Sequence, residues 1–272
     1  MAQRHVNCWC ALPALAIRCL VCLIMLGCSL KAQAASNNST LPSAEEMAAY
    51  HGDAKEILRL LSEGFDVNHL GKDGLSLLSY AVSGSQLSLV KLLLAKGADP
   101  KADGGSSMVT AADLNNLEML QCLLSAGGNP NAHFGTILDT PLIWAARRAS
   151  VDAVSLLLRN GANPNEQNAL GWSPLMVAGS GAVARILIDH GADLNARDKK
   201  GMTALMSAAM WGKLDRVDLL LKAGADTALA DARGWTAETY AEKGGFKEIV
   251  KRLRGTEAQP ARLSHKPEPG KE

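Results

Sequence analysis

Six times along the chain an apolar run of helix length closes on a glycine and a short polar sequel: Gly64-Phe-Asp, Gly97-Ala-Asp, Gly127-Gly-Asn, Gly161-Ala-Asn, Gly191-Ala-Asp and Gly224-Ala-Asp. The intervals are 33, 30, 34, 30 and 33 residues. A period of this size belongs to stacked arrays, in which each unit buries its apolar face on its neighbours and no single large core is required. The unit from Gly201 to Asp226 shows how one period folds. Leu205, Ala208 and Ala209 recur at helical spacing after Thr203, and Val217, Leu220 and Leu221 do so on a second short helix. Thr203 can accept a hydrogen bond from early helix N–H groups, and Gly224 can take the left-handed conformation that ends a helix. Each period is therefore helix, turn, helix and loop. A hydrophobic content of 47% with only 4% aromatic residues suits short helices in close contact.

Thr140-Pro-Leu-Ile-Trp-Ala-Ala146, with Leu156-Leu-Leu158 and Gly161-Ala-Asn163 behind it, and Ser173-Pro-Leu175 resemble the ankyrin repeat. That family's signature is Thr-Pro-Leu-His-x-Ala-Ala, then a leucine run, then Gly-Ala-Asp. The resemblance implies an all-α solenoid of about seven helix-turn-helix units with loop or β-hairpin fingers. It covers residues 41–254, with an N-terminal cap repeat at 41–70, inner repeats at 71–101, 102–131, 132–165, 166–195 and 196–226, and a C-terminal cap repeat at 227–254. A tetratricopeptide array fits poorly, because its Trp, Leu-Gly and Tyr spacing is missing. The signature histidine is replaced in every copy, by Glu46, Ser79, Val109, Ile143, Met176, Met206 and Thr239. In the family that histidine ties the loop to the helix start, so these loops are expected to be held less firmly. The third copy is short around Asp99 to Gly104 and the fifth at Gly179-Ser-Gly181, so local irregularity is expected at both.

The ends differ from the middle. Residues 1–34 read as a secretory signal: a basic start, an apolar run from Cys19 to Leu30, and Lys31-Ala-Gln-Ala34 with the small-x-small pattern of a cleavage site. An uncleaved membrane anchor and a lipoprotein attached through Cys28 are the alternatives. Residues 35–40 form a polar linker containing the formal glycosylation sequons at Asn37 and Asn38. Ser43-Ala-Glu-Glu46 has the form of a capping box. Residues 255–272, rich in Pro, Lys and Glu, are expected to be disordered. The expected location is exported, periplasmic most of all, as the resemblance to exported bacterial ankyrin proteins suggests.

Charge and cysteine narrow the function classes. Beyond the leader 25 basic residues face 27 acidic ones, so binding of nucleic acid or an anionic membrane through bulk charge is disfavoured. Five of six cysteines lie in the leader, leaving Cys122, which falls on a leucine position of a second helix and is expected to be buried and inert. No nucleophile elbow, phosphate loop, His-Glu-x-x-His or Cys-x-x-Cys occurs beyond the leader, and the histidines are scattered over separate loops. The chain therefore reads as a non-enzyme with no cofactor and no metal, acting as a monomer.

In the ankyrin family partners are held by the loop tips and the exposed face of each first helix. Mapped onto this sequence, those positions give the expected protein-binding set: Tyr50, Leu75, Leu114, Arg147, Arg148, Trp172, Lys199, Lys200, Met202, Met210, Trp211, Arg233 and Trp235. Asp73, Asp103, Asp113, Asp139 and Lys243 share the row. Tryptophan and arginine dominate binding hot spots, and they concentrate here in the later copies. Trp144 is assigned to packing instead, because it precedes Ala145-Ala146 on the side facing the next repeat. The competing use of the other tryptophans is to lie flat across neighbouring loops.

Overall fold

A computed structural model describes residues 42–257, nearly all of them within the unit Glu45–Glu272. The proposed leader, the polar linker and residues 258–272 lie outside the described residues. Those described form fourteen helices and no strand. The first helices of the seven pairs are α1 (Ala44–His51), α3 (Leu77–Ser83), α5 (Ser106–Asp113), α7 (Pro141–Arg147), α9 (Pro174–Val177), α11 (Ala204–Met210) and α13 (Ala237–Lys243). The second helices are α2 (Ala54–Ser62), α4 (Leu87–Ala95), α6 (Leu117–Ser125), α8 (Val151–Arg159), α10 (Gly181–Asp189), α12 (Leu214–Ala223) and α14 (Lys247–Glu257). From α3 onward each first helix packs on its own partner and on the first helix of the adjoining pair, while the second helices pack in a row of their own.

Local chemistry sets these boundaries. Thr140, Thr203 and Thr236 each accept a hydrogen bond from the N–H three residues on, at 3.2, 3.3 and 3.3 Å, which satisfies one orphan donor of the first turn. Pro141 and Pro174 occupy the first helical turn, where a missing N–H costs nothing. Gly224 closes α12 at φ +93°, a conformation that only glycine adopts without steric cost. The leucines of the repeat face inward, and one continuous apolar cluster runs from Ala49 to Leu253.

The loops joining successive pairs are turns, with isolated bridges at Leu70–Ser76 and Phe134–Asp139 in place of full hairpins. They are tied without the missing histidine, contrary to the looseness expected of them. In the later repeats a backbone bond runs between adjoining loops: Ala169 N–H to Ile137 C=O, Lys199 N–H to Leu170 C=O and Ala232 N–H to Lys200 C=O, at 2.8, 3.1 and 2.8 Å. A second tie comes from asparagines four residues after the closing glycine. Asn131 donates from its amide to the Gly161 carbonyl at 3.0 Å and accepts from the Asn163 N–H at 2.7 Å. Asn68 and Asn165 make the same pair of bonds to the following repeat. Lys101 stands in that position in the second repeat and cannot accept, so the ladder is broken there.

Both shortened repeats are irregular. In the third, Gly105 sits at the start of α5 with left-handed φ and no capping side chain, and Asp103 takes over the capping. Its Oδ1 accepts the Gly105 N–H at 2.9 Å and its Oδ2 the Ser107 N–H at 3.2 Å, while the hydroxyls of Ser76, Ser79 and Ser107 also point at it. In the fifth, α9 has only four residues, which leaves carbonyls that a longer helix would satisfy. The next repeat supplies the donors: Ser207 Oγ donates to Met176 C=O at 3.0 Å, and the buried Arg216 guanidinium donates to Ala178 C=O. Burial lowers the affinity of Arg216 for its proton.

Two other expectations need correction. Cys122 is half-buried instead of buried. It occupies the first place of the three-residue apolar run in α6, and the residues at that place in α4 and α8, Leu92 and Leu156, are also only partly covered. At the C-terminal end α14 continues to Glu257, past residue 254, with Ile249 and Leu253 buried and Arg252 paired to Asp218 at 3.1 Å.

Candidate functional site

The row of residues at the ends of the first helices and the tips of the loops divides into three groups. Tyr50, Leu114 and Trp211 are large, apolar and outward, at 40%, 44% and 42% exposure. Leu114 and Trp211 are the C-terminal caps of α5 and α11, and a cap side chain has left the packed face of its helix. Lys199, Lys200 and Arg233 are exposed on the loop tips. Arg148, at the end of α7 in the fourth repeat, is exposed as well and holds Asp113 of the third repeat through Nη2 at 2.6 Å.

A second group lies half-buried against the core: Trp172, Met202, Met210 and Trp235. Trp172, Met202 and Trp235 reach the core from the loops, and Met210 from the end of α11. Trp235 has the Arg233 guanidinium 4.1 Å and the Lys243 ammonium 4.4 Å from its ring centre, with Tyr240 meeting it edge-on at 5.4 Å. Its indole is thus already engaged by cations of its own repeat.

The third group is buried and corrects the sequence-based row. Leu75 is only 6% exposed. Its carbonyl accepts the Gly71 N–H at 2.8 Å and its own N–H donates to Asp73 Oδ1 at 3.0 Å, a tight turn that directs the side chain into the core. Asp103 and Asp139 are also buried. Arg147 retains just 12% side-chain exposure: Nη1 holds Asp139 at 3.1 Å, and the guanidinium carbon lies 4.5 Å from the Trp144 ring centre and 5.9 Å from that of Trp172. Its Nε and Nη2 have no hydrogen-bond acceptor, so the indole faces are what they meet. Arg147 is a clamp between the fourth and fifth repeats, not a surface hook. Trp144 is buried with Val109 and Ala112, in agreement with its assignment to packing.

The sequence reading set His133 aside as one of the scattered, solvated loop histidines and did not single out Asp231; the structure gives both a bonding role. His133 bridges two loops, its Nδ1 3.0 Å from Leu138 C=O and its Nε2 3.2 Å from Glu166 Oε1. Asp231 anchors the last loop: Oδ1 accepts the N–H groups of Arg233 and Trp235 at 2.9 Å each, and Oδ2 accepts the Tyr240 hydroxyl at 2.8 Å. Asp198 and Asn168 stand at the same place one and two repeats earlier and accept the same pair of N–H groups, so the spacing was the available signal.

Burial of Asp231 opposes its charge, but the Trp235 N–H, the Tyr240 hydroxyl and Arg233 outweigh it and hold the carboxyl at about 2. Because the unfolded chain keeps the ordinary value near ~3.9, the charged form stabilises the fold fully above about pH 5, and the contribution fades as pH falls toward 2. Asp231→Asn is expected to lower the melting temperature at neutral pH and to flatten the decline on acidification. Acid melting curves that run parallel for wild type and variant would contradict this.

Among the described residues no group of three His, Cys, Asp or Glu side chains is placed to hold a metal ion, and no helix is long and apolar enough to cross a membrane. A family profile described as ankyrin repeats, in three copies, matches residues 46–134, 134–198 and 183–262. Cyclin-dependent kinase 4 inhibitor B of Bos taurus is 38% identical over 121 residues, 43% of this chain and 92% of that relative. Transient receptor potential cation channel subfamily A member 1 of Homo sapiens is 32% identical over 205 residues, 71% of this chain but 18% of that relative. Palmitoyltransferase AKR1 of Lachancea kluyveri is 28% identical over 223 residues, 78% of this chain and 26% of the relative, so here too the likeness is confined to part of a longer protein. With paired helices repeated along residues 44–257 and family matches that span nearly the same stretch, the chain belongs to the ankyrin-repeat family.

Proposed function

We propose that the protein is an exported, non-catalytic binding protein that holds another protein on the ends of its first helices and the tips of its loops. The observation that carries this reading is Trp211, an indole left 42% exposed at the end of a helix whose other faces are packed. At 42% exposure the indole leaves much of its apolar surface in water, whereas buried at an interface it is among the side chains that contribute most. Repeats stacked into a continuous core present such a surface already formed, so little ordering is lost on binding. Relatives named as inhibitors of a protein kinase support a protein as the class of ligand. Export rests on the apolar run and Ala-x-Ala end of residues 1–34, with the periplasm as the favoured destination and the monomer as the favoured state.

Affinity capture from native cell envelope tests the reading. Trp211→Ala is expected to keep the wild-type melt and to weaken partner binding by about 2 kcal/mol or more. Equal recovery of the same partner by wild type and variant would remove Trp211 from the interface. N-terminal sequencing of the exported protein is expected to start at Ala35; a start at Met1 would make the protein an anchored one.

A further inference from the structure

We infer that the partner meets the sixth and seventh repeats through an acidic segment that also carries an apolar side chain. The inference rests on the protein-binding reading above and adds the chemistry of what is bound. In the loop before α11, Asp198 is buried and its Oδ1 accepts the N–H groups of Lys200 and Met202 at 2.8 Å each. In the loop before α13, Asp231 does the same for Arg233 and Trp235. Each loop thus turns its carboxylate inward onto its own backbone and leaves its cations outside. The bond from Ala232 N–H to Lys200 C=O, at 2.8 Å, sets the two loops side by side, so Lys199, Lys200 and Arg233 lie on adjoining tips.

Lys243, at the end of α13, extends the patch toward the helix ends. The carboxylates of that helix do not neutralise it, because Glu238 and Glu242 are both held by Arg254 of α14 at 2.6 Å. Arg233 shares Asp231 at 3.1 Å yet keeps more than half of its side chain in solvent. No ion pair is formed by Lys199, Lys200 or Lys243 among the described residues. Cations gathered without counter-ions repel one another, and an anionic partner relieves that repulsion while steering its own approach. Trp211 follows α11, the helix that packs on α13, and supplies an exposed apolar side chain at the helix end next to the one that carries Lys243.

Nucleic acid is the other polyanion that would suit cations next to indoles. Protein is favoured on two grounds. Beyond the leader the chain carries 25 basic against 27 acidic residues, so it lacks the broad positive field that phosphate backbones exploit. The Trp235 ring is also covered by Arg233 and Lys243, which leaves it unavailable as a stacking platform for bases.

The test is selection of random displayed peptides on the full chain, on a Lys199→Glu, Lys200→Glu, Lys243→Glu variant, and on Trp211→Ala. The wild type is expected to enrich peptides rich in Asp and Glu with at least one aromatic or aliphatic residue. Their affinity should fall at least about tenfold on charge reversal and should weaken with added salt. Enrichment of neutral or basic peptides, no enrichment, or tighter binding of a single-stranded oligonucleotide would overturn the inference. Neutral peptides that are lost with Trp211→Ala would overturn the acidic partner alone and leave the binding surface standing. Peptides indifferent to both variants would remove the surface as well.

Discussion

Leu220→Ala is expected to lower the unfolding free energy by about 2 to 5 kcal/mol, the range for truncating a leucine in a packed interior that cannot collapse onto the gap. Leu220 is 1% exposed in α12, which packs against α11 within its repeat and against α10 and α14 on either side. Its carbonyl also accepts the Ala225 N–H at 3.0 Å, in the closure that sends the chain into the next loop. A cavity here therefore touches two junctions between repeats. Because an array is held by nearest-neighbour contacts, the loss should spread to the fifth and seventh repeats before it reaches the first. Chemical unfolding followed by amide exchange checks both statements. A wild-type midpoint, or weakened protection confined to α12, would contradict them.

Asp103→Ala is expected to cost about 3 kcal/mol or more, since a buried acceptor is removed while its donors remain. The N–H groups of Gly105 and Ser107 would lose the cap of α5, and the hydroxyls of Ser76, Ser79 and Ser107 would lose the oxygen they share. Asp103→Asn keeps an acceptor oxygen and should lose less. Unfolding midpoints ranked wild type, Asn, Ala are the expected result. An Ala variant as stable as the Asn variant would show that the serines find other partners at no cost.

What the sequence disclosed and what it hid divide along a physical line. The helix pairs, the capping threonines, the closing glycines and most of the buried leucines are determined by spacing within one repeat and stand where the spacing puts them, although Leu221 of the named face is only half-buried and Leu219 is buried in addition. The surface row was less legible. Register placed Leu75, Asp103, Asp139 and Arg147 with the outward residues, but their fates are decided by neighbours from other turns and repeats. Arg147 is drawn in because Trp172 of the following repeat lies over it, and Asp139 because Asn168 donates to it at 2.6 Å. The absent histidine likewise suggested slack loops. The asparagine ladder and the loop-to-loop backbone bonds that replace it involve the next repeat, although the asparagines recur in plain view four residues after the glycine.

Amide exchange on the full chain, with and without the captured partner, tests the central claim most directly. Added protection is expected at Lys199–Met202, around Trp211 and at Arg233–Trp235, with the second-helix row unchanged. Protection on α4, α6, α8, α10 and α12 instead, or none anywhere, would place the partner on the wrong side of the repeats and contradict the account.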